Sequence, residues 1–171
     1  MRLDRFISNL PQFNRQAARR LLASGQLRVD GAVVSDGLCE ISQFSRIELN
    51  SELLQAGKTA RYFMLHKPPG VVSATAHNEH RTVLDLLYEP DKAELHLAGR
   101  LDLNTSGLLL ITNDGQWSRR LTEPSSRLGK VYRVETEQPI TPEYIEVFAG
   151  GLYFAYEDLT TLPAELLILS S

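Results

Sequence analysis

Two short apolar stripes at helical spacing open the chain. In the first, Leu3, Phe6, Ile7 and Leu10 recur every three or four residues, which is the spacing of one buried helical face. A second stripe with the same spacing follows within residues 14–25. The pattern therefore predicts two short helices at the N-terminus.

The second stripe also carries signals for where its helix begins and ends. Its apolar face consists of Ala18, Leu21 and Leu22. Asn14 is a residue type that caps helix N-termini, and Gly25 is a type that ends helices. We therefore expect the helix to lie between these two residues.

A small antiparallel sheet is predicted to follow the helices. Residues 27–29 alternate between apolar and polar side chains, and residues 32–34 return after Asp30-Gly31, a pair that favours a two-residue hairpin turn. We expect the segment RIEL at 46–49 to join this sheet.

Strands and helices then mix without a regular repeat. The polar residues 50–60 fit either a linker or a terminal strand followed by a loop. The absence of a strict strand-helix-strand repeat favours an α+β fold over a doubly wound sheet. We expect strands at 62–66, 108–112, 130–136 and 162–171, extended chain at 95–103, and short helices at 82–90, 116–124 and 141–150.

Composition places the chain among ordinary globular proteins. Its apolar share is 43%, and no run approaches the roughly 18 apolar residues of a membrane span. The first residues lack an apolar signal core, and Cys39 is the single cysteine, which suits a reducing cytosol. We expect a cytoplasmic protein with no metal, since no Cys/His cluster has metal-ligand spacing.

Charge is distributed unevenly along the chain. The net charge is −3, yet residues 1–29 contain six arginines and one acid. Arg15 and Arg19 lie one helical turn apart with Arg20 beside them, and planar guanidinium groups suit phosphate oxygens. This pattern indicates a nucleic-acid-binding module, with a solvated helix face as the alternative.

The segment GRLDLNTSGLLLITNDG, residues 99–115, places Asp102 just before a cluster of hydroxyls and a buried-type strand. An isolated aspartate here fits a turn, where its carboxylate bonds its own backbone. A phosphoryl-accepting aspartate is disfavoured, because the apolar run follows Asp102 and position 104 is Asn. Residues alone leave a structural or a chemical role open.

The N-terminal part of the chain resembles the small RNA-binding domain named after ribosomal small-subunit protein four, the S-four-like domain. The resemblance rests on MRLDRFIS and NRQAARRLLASGQLRVDGAVV and covers about residues 1–48. It implies that five arginines face RNA: Arg2, Arg5, Arg15, Arg19 and Arg20.

The segment 99–115, together with FMLHKPPG before it and KVYRV after it, resembles the RsuA family of pseudouridine synthases. Within that family, the chain is most similar to the enzymes that modify 16S small-subunit ribosomal RNA. The resemblance implies an S-four-like domain at 1–50, a linker at 51–60, and a synthase domain with a mixed, mostly antiparallel sheet at 61–171.

The resemblance also assigns roles to residues. Asp102 is the essential carboxylate that acts at the sugar, as nucleophile or as base. Arg100 is implied to fill the gap left by the flipped base, and Tyr132 to stack on that base, with a core aromatic as the alternative for Tyr132. The implied supporting loop residues are Gly99, Leu101, Thr105 and Gly107.

The implied reaction is an isomerisation, so no cofactor is expected. The expected partner is 16S ribosomal RNA or the assembling small subunit, with no membrane and with a monomer as the active form. Lys67 and Pro68 match a family motif that we interpret as mainly structural. Family members continue beyond the point that matches Ser171, with a segment that supplies a basic partner for the aspartate. We therefore expect a truncated synthase domain, and an RNA-binding module with an inert synthase domain stays open as the alternative.

Overall fold

The computed structural model describes residues 1–169. They divide into two compact units, a first unit of Met1–Leu128 and a second unit that begins at Gly129. The helices and strands of the first unit, in chain order, are α1 (Leu3–Ser8), α2 (Arg15–Ala23), β1 (Leu27–Val29), β2 (Ala32–Val33), β3 (Ile47–Leu49), β4 (Glu52–Gln55), β5 (Tyr62–Lys67), β6 (His96–Ala98), β7 (Gly107–Thr112) and α3 (Gly115–Thr122). The second unit contains α4 (Glu143–Gly150), β8 (Tyr153–Phe154) and β9 (Leu159–Thr160). Among the described residues, no helix has the length and apolar character needed to cross a bilayer.

The N-terminal helices and sheet form as the sequence predicts. The Asn14 side chain caps α2 by accepting a hydrogen bond from the Ala17 N–H at 2.9 Å. Leu3 and Ile7 of α1 are fully buried in an apolar cluster that also takes in α2 and the sheet. This cluster is one closed core made from residues 3–49.

The sheet of this core has the strand order β2-β1-β3-β4, with antiparallel pairing throughout. Asp30 and Gly31 both have positive φ, 51° and 85°, which is the backbone of the predicted two-residue hairpin. The segment 50–60 begins as a terminal strand, because β4 pairs with β3.

A second core lies under a three-stranded antiparallel sheet with the order β5-β7-β6. One face of this sheet packs on Val83, Leu84 and Leu95. The helix predicted at 82–90 is present only as a 3-10 turn at Val83–Leu86. Thr82 and Asp85 cap this turn reciprocally. The extended segment predicted at 95–103 shortens to β6, because the backbone turns at Gly99, where φ is 112°.

Asn113, at the end of β7, fastens the chain that enters this second core. Its buried side chain accepts a hydrogen bond from the Arg61 N–H at 2.8 Å and donates one to the Thr59 carbonyl at 3.0 Å. Its own carbonyl accepts a hydrogen bond from Gln43 Nε2 at 2.9 Å. Asn113 therefore fixes the incoming chain at Thr59 and Arg61 and is itself bonded to Gln43.

The second unit departs from the sequence expectations. The predicted strand at 130–136 is wrong, and so is the predicted strand at 162–171 as far as residue 169; residues 170 and 171 lie outside the described residues. Alternation is compatible with a strand, but a strand also needs a partner for its backbone, and Val131 is 100% exposed. The helix at 141–150 is confirmed as α4, which starts after Pro142 and ends at Gly150; the next residue, Gly151, has a φ of 81°.

Candidate active site

Asp102 lies in a reverse turn on the loop that joins β6 to β7. Its carbonyl accepts a hydrogen bond from the Thr105 N–H at 3.1 Å, which closes the turn. The Asp102 side chain is exposed, and so is that of Arg100, two residues before it. The loop therefore presents one carboxylate and one guanidinium group to solvent within three consecutive residues.

Gly99 and Gly107 mark the two ends of this loop. Their φ angles are 112° and 148°, a region of backbone conformation that favours glycine. Gly107 is also the first residue of β7, where it pairs with Lys67 of β5. The loop thus leaves one strand and enters the next through conformations that other residue types rarely adopt.

Lys67 holds the loop from within the protein. Its fully buried ammonium group donates hydrogen bonds to the carbonyls of Pro68 at 2.9 Å, Leu103 at 3.2 Å and Thr105 at 2.7 Å. Burial lowers the pKa of Lys67, and the negative charge of Asp102 acts in the opposite direction. The lysine therefore fixes the chain on the C-terminal side of Asp102.

Gly70 and Ser73, which follow Lys67 in the chain, also contact the loop. The Gly70 N–H donates to the Leu103 carbonyl at 2.8 Å. The buried Ser73 hydroxyl donates to the Leu101 carbonyl at 2.7 Å and accepts from the Leu101 N–H at 3.0 Å. The loop backbone is therefore held both before and after Asp102, while the Asp102 side chain stays exposed.

Sequence reasoning missed the contribution of Lys67 and Ser73 to this site. A lysine that ends an apolar strand next to Pro-Pro-Gly was a usable signal, because a buried lysine must find partners for its ammonium group. No comparable signal marked Ser73, because a serine between Val72 and Ala74 does not by itself indicate which backbone groups its hydroxyl contacts.

An open groove of about 500 Å³ borders the loop. Thr75, Arg100 and Thr122 are among the residues that line it, and Ser73 forms part of its wall. Its volume lies within the range of pockets that hold small organic groups. The groove therefore offers room for part of a substrate beside Arg100.

Tyr132 belongs to the second unit. It lies in chain without regular structure, and 58% of its surface is exposed. An exposed aromatic ring is compatible with stacking on a base, and the stacking role stays a prediction.

The N-terminal arginines differ in their surroundings. Arg2 forms an ion pair with Asp4, and that contact lowers the pKa of Asp4. On α2, Arg15, Arg19 and Arg20 are exposed, and none forms an ion pair with any other residue in the range 1–169. Their charge is therefore available to a ligand. Arg5 on α1 is exposed as well.

The described part of the chain contains no group of three His, Cys, Asp or Glu side chains that could hold a metal ion.

Comparisons with known proteins point in one direction. A family model described as RNA pseudouridylate synthase matches residues 61–148. The chain is 62% identical over 166 residues to "Ribosomal small subunit pseudouridine synthase A" of Pseudomonas aeruginosa, covering 97% of this chain and 72% of that protein. The protein of the same name from Escherichia coli strain K12 is 38% identical over 170 residues, covering 99% and 74%.

A solved structure agrees with the sequence comparisons. The structure described as "Crystal structure of pseudouridylate synthase" is 33% identical in sequence and superposes with a TM-score of 0.57, covering 99% of this chain and 73% of that one. The α+β fold with mostly antiparallel sheets, expected from the sequence, is thereby confirmed as the fold of this class of protein.

Proposed function

This chain belongs to the RNA pseudouridylate synthase family, and we propose that Asp102 is the carboxylate with which it isomerises a uridine of small-subunit ribosomal RNA. The substrate follows from relatives that carry small-subunit synthase names at up to 62% identity over nearly the whole chain. The observation that supports this role is that the Asp102 side chain is exposed, while buried Lys67 and Ser73 bond the backbone of its loop.

The chemistry needs few groups. The bond between N1 of uracil and C1′ of ribose breaks, the base turns, and a bond forms between C5 and C1′. The proton lost from C5 is balanced by the proton gained at N1, so no oxidant, reductant or cofactor is required. A carboxylate acts at the sugar, either by attacking C1′ or by removing a ribose proton, and Asp102 supplies that carboxylate.

Arg100 and Tyr132 act on the base in this proposal. A base in a helix must leave its stack before the sugar can be reached, and this costs a few kcal/mol. The exposed guanidinium of Arg100 takes the vacated place, two residues from Asp102. The exposed ring of Tyr132 stacks on the uracil, which contributes roughly 1–3 kcal/mol per base.

The N-terminal module binds RNA in the same proposal. Arg15, Arg19 and Arg20 on α2 contact phosphates, since they are exposed and form no ion pair within the described chain. Arg5 contributes to the same surface, and Arg2 does so while paired with Asp4. Separate apolar clusters within 3–49 and within 71–111 support an RNA-binding domain at 1–50, a junction at 51–60 and a synthase domain from 61 onward.

The proposal extends to the setting of the reaction. We take 16S ribosomal RNA, free or within an assembling small subunit, as the substrate and a monomer as the acting form. The location is the cytoplasm, because bacterial ribosomal RNA is transcribed and assembled there, and the relatives are bacterial.

Replacing Asp102 by Asn tests the proposal. The amide keeps the size of the side chain and removes the carboxylate, so we expect Asp102→Asn in the full chain to lose pseudouridine formation while retaining RNA binding. Chemical mapping of pseudouridine in 16S RNA and filter binding measure the two properties. Asp91→Asn is the matched control, because Asp91 is an exposed aspartate away from the loop and Asn tolerates its positive φ of 54°. Wild-type product formation by Asp102→Asn would refute the assignment.

A further inference from the structure

We propose that Ser73 is a positioning residue for the isomerisation, because its buried hydroxyl fixes the backbone between Arg100 and Asp102. The inference rests on the proposed function of those two residues. It concerns a side chain that does not touch the reacting atoms and acts through the loop that carries them.

The geometry is that of a clamp on one residue. The Ser73 hydroxyl donates to the Leu101 carbonyl at 2.7 Å and accepts from the Leu101 N–H at 3.0 Å. The N–H of Leu101 belongs to the peptide group shared with Arg100, and its carbonyl belongs to the peptide group shared with Asp102. A single side chain therefore sets the orientation of both peptide planes that link the two site residues.

The clamp is itself mounted on fixed backbone. The N–H of Val72, the residue before Ser73, donates to the Arg81 carbonyl at 3.0 Å, and its carbonyl accepts from the Val83 N–H at 3.1 Å. Val83 is fully buried in the second core. The hydroxyl thus transmits the position of that core to the loop.

Ser73 does what the other contacts of the loop do not. The bonds from Lys67 and Gly70 reach the carbonyls of Leu103 and Thr105, on the C-terminal side of Asp102. Ser73 contacts the N-terminal side, where Arg100 joins. Without the hydroxyl, the N–H and carbonyl of Leu101 lose their partner and turn toward water, which rotates the planes on which both side chains stand.

Ser73→Ala in the full chain tests the inference, with Ser118→Ala as its control. Ser118 is matched in burial, at 7% exposure against 6% for Ser73, and its hydroxyl also has two partners, His96 Nε2 at 2.8 Å and the Gly115 carbonyl at 3.3 Å. It makes no hydrogen bond to the loop between Gly99 and Gly107. Both variants lose a buried hydroxyl, and one loses the clamp.

We expect Ser73→Ala to lower kcat by about 10- to 100-fold, because a misplacement of about 1 Å at a reacting group has effects of that size. The KM for RNA should stay within about 2-fold, since the phosphate contacts are unchanged. Ser118→Ala should keep the wild-type kcat at a temperature where both variants are folded. Equal kcat values for the two alanine variants would overturn the inference.

Hydrogen exchange provides a readout that does not depend on activity. The Leu101 amide should be protected in the wild-type protein and exchange at least about tenfold faster in Ser73→Ala than in Ser118→Ala. An unprotected Leu101 amide in the wild type overturns the inference. If Ser73→Ala does not fold, Ser73→Cys replaces it, with kcat expected between wild type and inactive because a thiol is a weaker donor and acceptor, and an unchanged kcat overturns the inference.

Asp102→Asn, measured beside these variants, separates the two proposals. Product formation by Asp102→Asn refutes the role of Asp102, whatever Ser73 does. An inactive Asp102→Asn together with a fully active Ser73→Ala leaves that role intact and refutes the inference about Ser73.

Discussion

At the scale of single residues, Lys67 shows how this fold holds the loop that carries Asp102 from within. A buried ammonium group is stable only when its hydrogens have partners. Here three backbone carbonyls serve, two of them from the loop itself. Burial lowers the pKa of the lysine, and the negative charge of Asp102 offsets only part of that effect. The sequence shows no obvious cationic partner for Asp102, and in the structure the Lys67 ammonium group bonds the loop backbone at Leu103 and Thr105, which follow Asp102.

Replacing Lys67 by Met should weaken both stability and activity. The side chain keeps its length, but the carbonyls of Pro68, Leu103 and Thr105 lose a charged donor, so we expect a loss of about 3 kcal/mol in the free energy of unfolding. The loosened loop should also lower kcat. Urea unfolding and a turnover assay measure the two effects.

Lys58→Met is the matched control for this prediction. Lys58 is a half-exposed lysine paired with the exposed Glu94, and surface pairs of this kind contribute little. Similar losses from both variants would show that Lys67 has no special effect on the loop.

The closeness of Arg100 and Asp102 follows from the sequence, because the two residues are two positions apart. Their position on a loop does not, since the sequence predicted extended chain at 95–103 and β6 ends at Ala98. Lys67 and Ser73 reach that loop from about 30 residues earlier in the chain, through pairing of β5 with β7 and a loop that follows. Contacts of that kind depend on strand register, which periodicity in one segment does not encode.

At the scale of elements, Asp114 joins a helix to a sheet. Its Oδ1 accepts hydrogen bonds from the N–H groups of Gln116 at 3.1 Å and Trp117 at 3.0 Å, which caps α3. Its Oδ2 accepts from the Tyr62 hydroxyl at 2.9 Å, and the Tyr62 ring packs edge-on against Trp117 with centroids 5.0 Å apart. The backbone N–H of Trp117 lowers the pKa of Asp114, with the Tyr62 hydroxyl contributing in the same direction.

Asp114→Ala should destabilise the protein by about 1 kcal/mol at pH 7, which is the usual effect of losing an N-cap. Asp114→Asn is the control that keeps a cap acceptor and removes the charge. Because the folded pKa of Asp114 is lowered, the stability from its charge is complete above the unfolded pKa of about 3.9 and is lost as pH falls through the folded value.

The pH dependence distinguishes the charge from the cap. The gap in Tm between wild type and Asp114→Asn should be largest near neutral pH and should shrink as the pH falls below about 4. Thermal melts followed by circular dichroism at pH 7 and pH 3 measure it. A gap that is the same at both pH values would contradict a contribution from the ionised carboxylate.

Element prediction worked where capping and turn chemistry agreed with periodicity. Asn14 and the Asp30-Gly31 hairpin are examples, since each combines a side-chain or backbone requirement with an apolar pattern. The predicted strand at 130–136 had alternation alone. A strand is stabilised by its neighbours in a sheet, and alternation does not say whether such a neighbour exists.

At the scale of the whole molecule, the distribution of charge distinguishes the basic N-terminal segment from the rest of the chain, which is acidic. Although the net charge is −3, the N-terminal end is basic, and the α2 arginines are exposed and form no ion pair with a described side chain. RNA affinity should therefore fall steeply as the salt concentration rises, because phosphate contacts release counterions.

The two apolar clusters of the first unit were foreseeable from the sequence. The hydrogen bonds that Asn113 makes to Gln43, Thr59 and Arg61 were not, because they join three segments that are distant in the sequence.

Replacing Arg15, Arg19 and Arg20 together by Gln should reduce the slope of log affinity against log salt by about 2, since each phosphate contact contributes roughly 0.7 on single-stranded nucleic acid. Arg46→Gln is the control, because Arg46 is already paired with Glu48. Filter binding from about 50 to about 300 mM salt measures the slope, since phosphate contacts weaken over this range. An unchanged slope in the triple variant would remove the case for phosphate contacts on α2.

Because Asn113 is fixed at one end of β7, the length of β7 sets the distance from Asn113 to the loop of Asp102. The strand begins at Gly107, where the loop of Asp102 ends, and finishes one residue before Asn113, which is tied to the incoming chain and to Gln43. Its six residues span about 20 Å at the usual rise of a strand. The number of residues in β7 therefore determines how far the loop of Asp102 lies from Asn113. Adding two residues would lengthen the span by about 7 Å. Adding one residue would also turn every following side chain to the opposite face of the sheet.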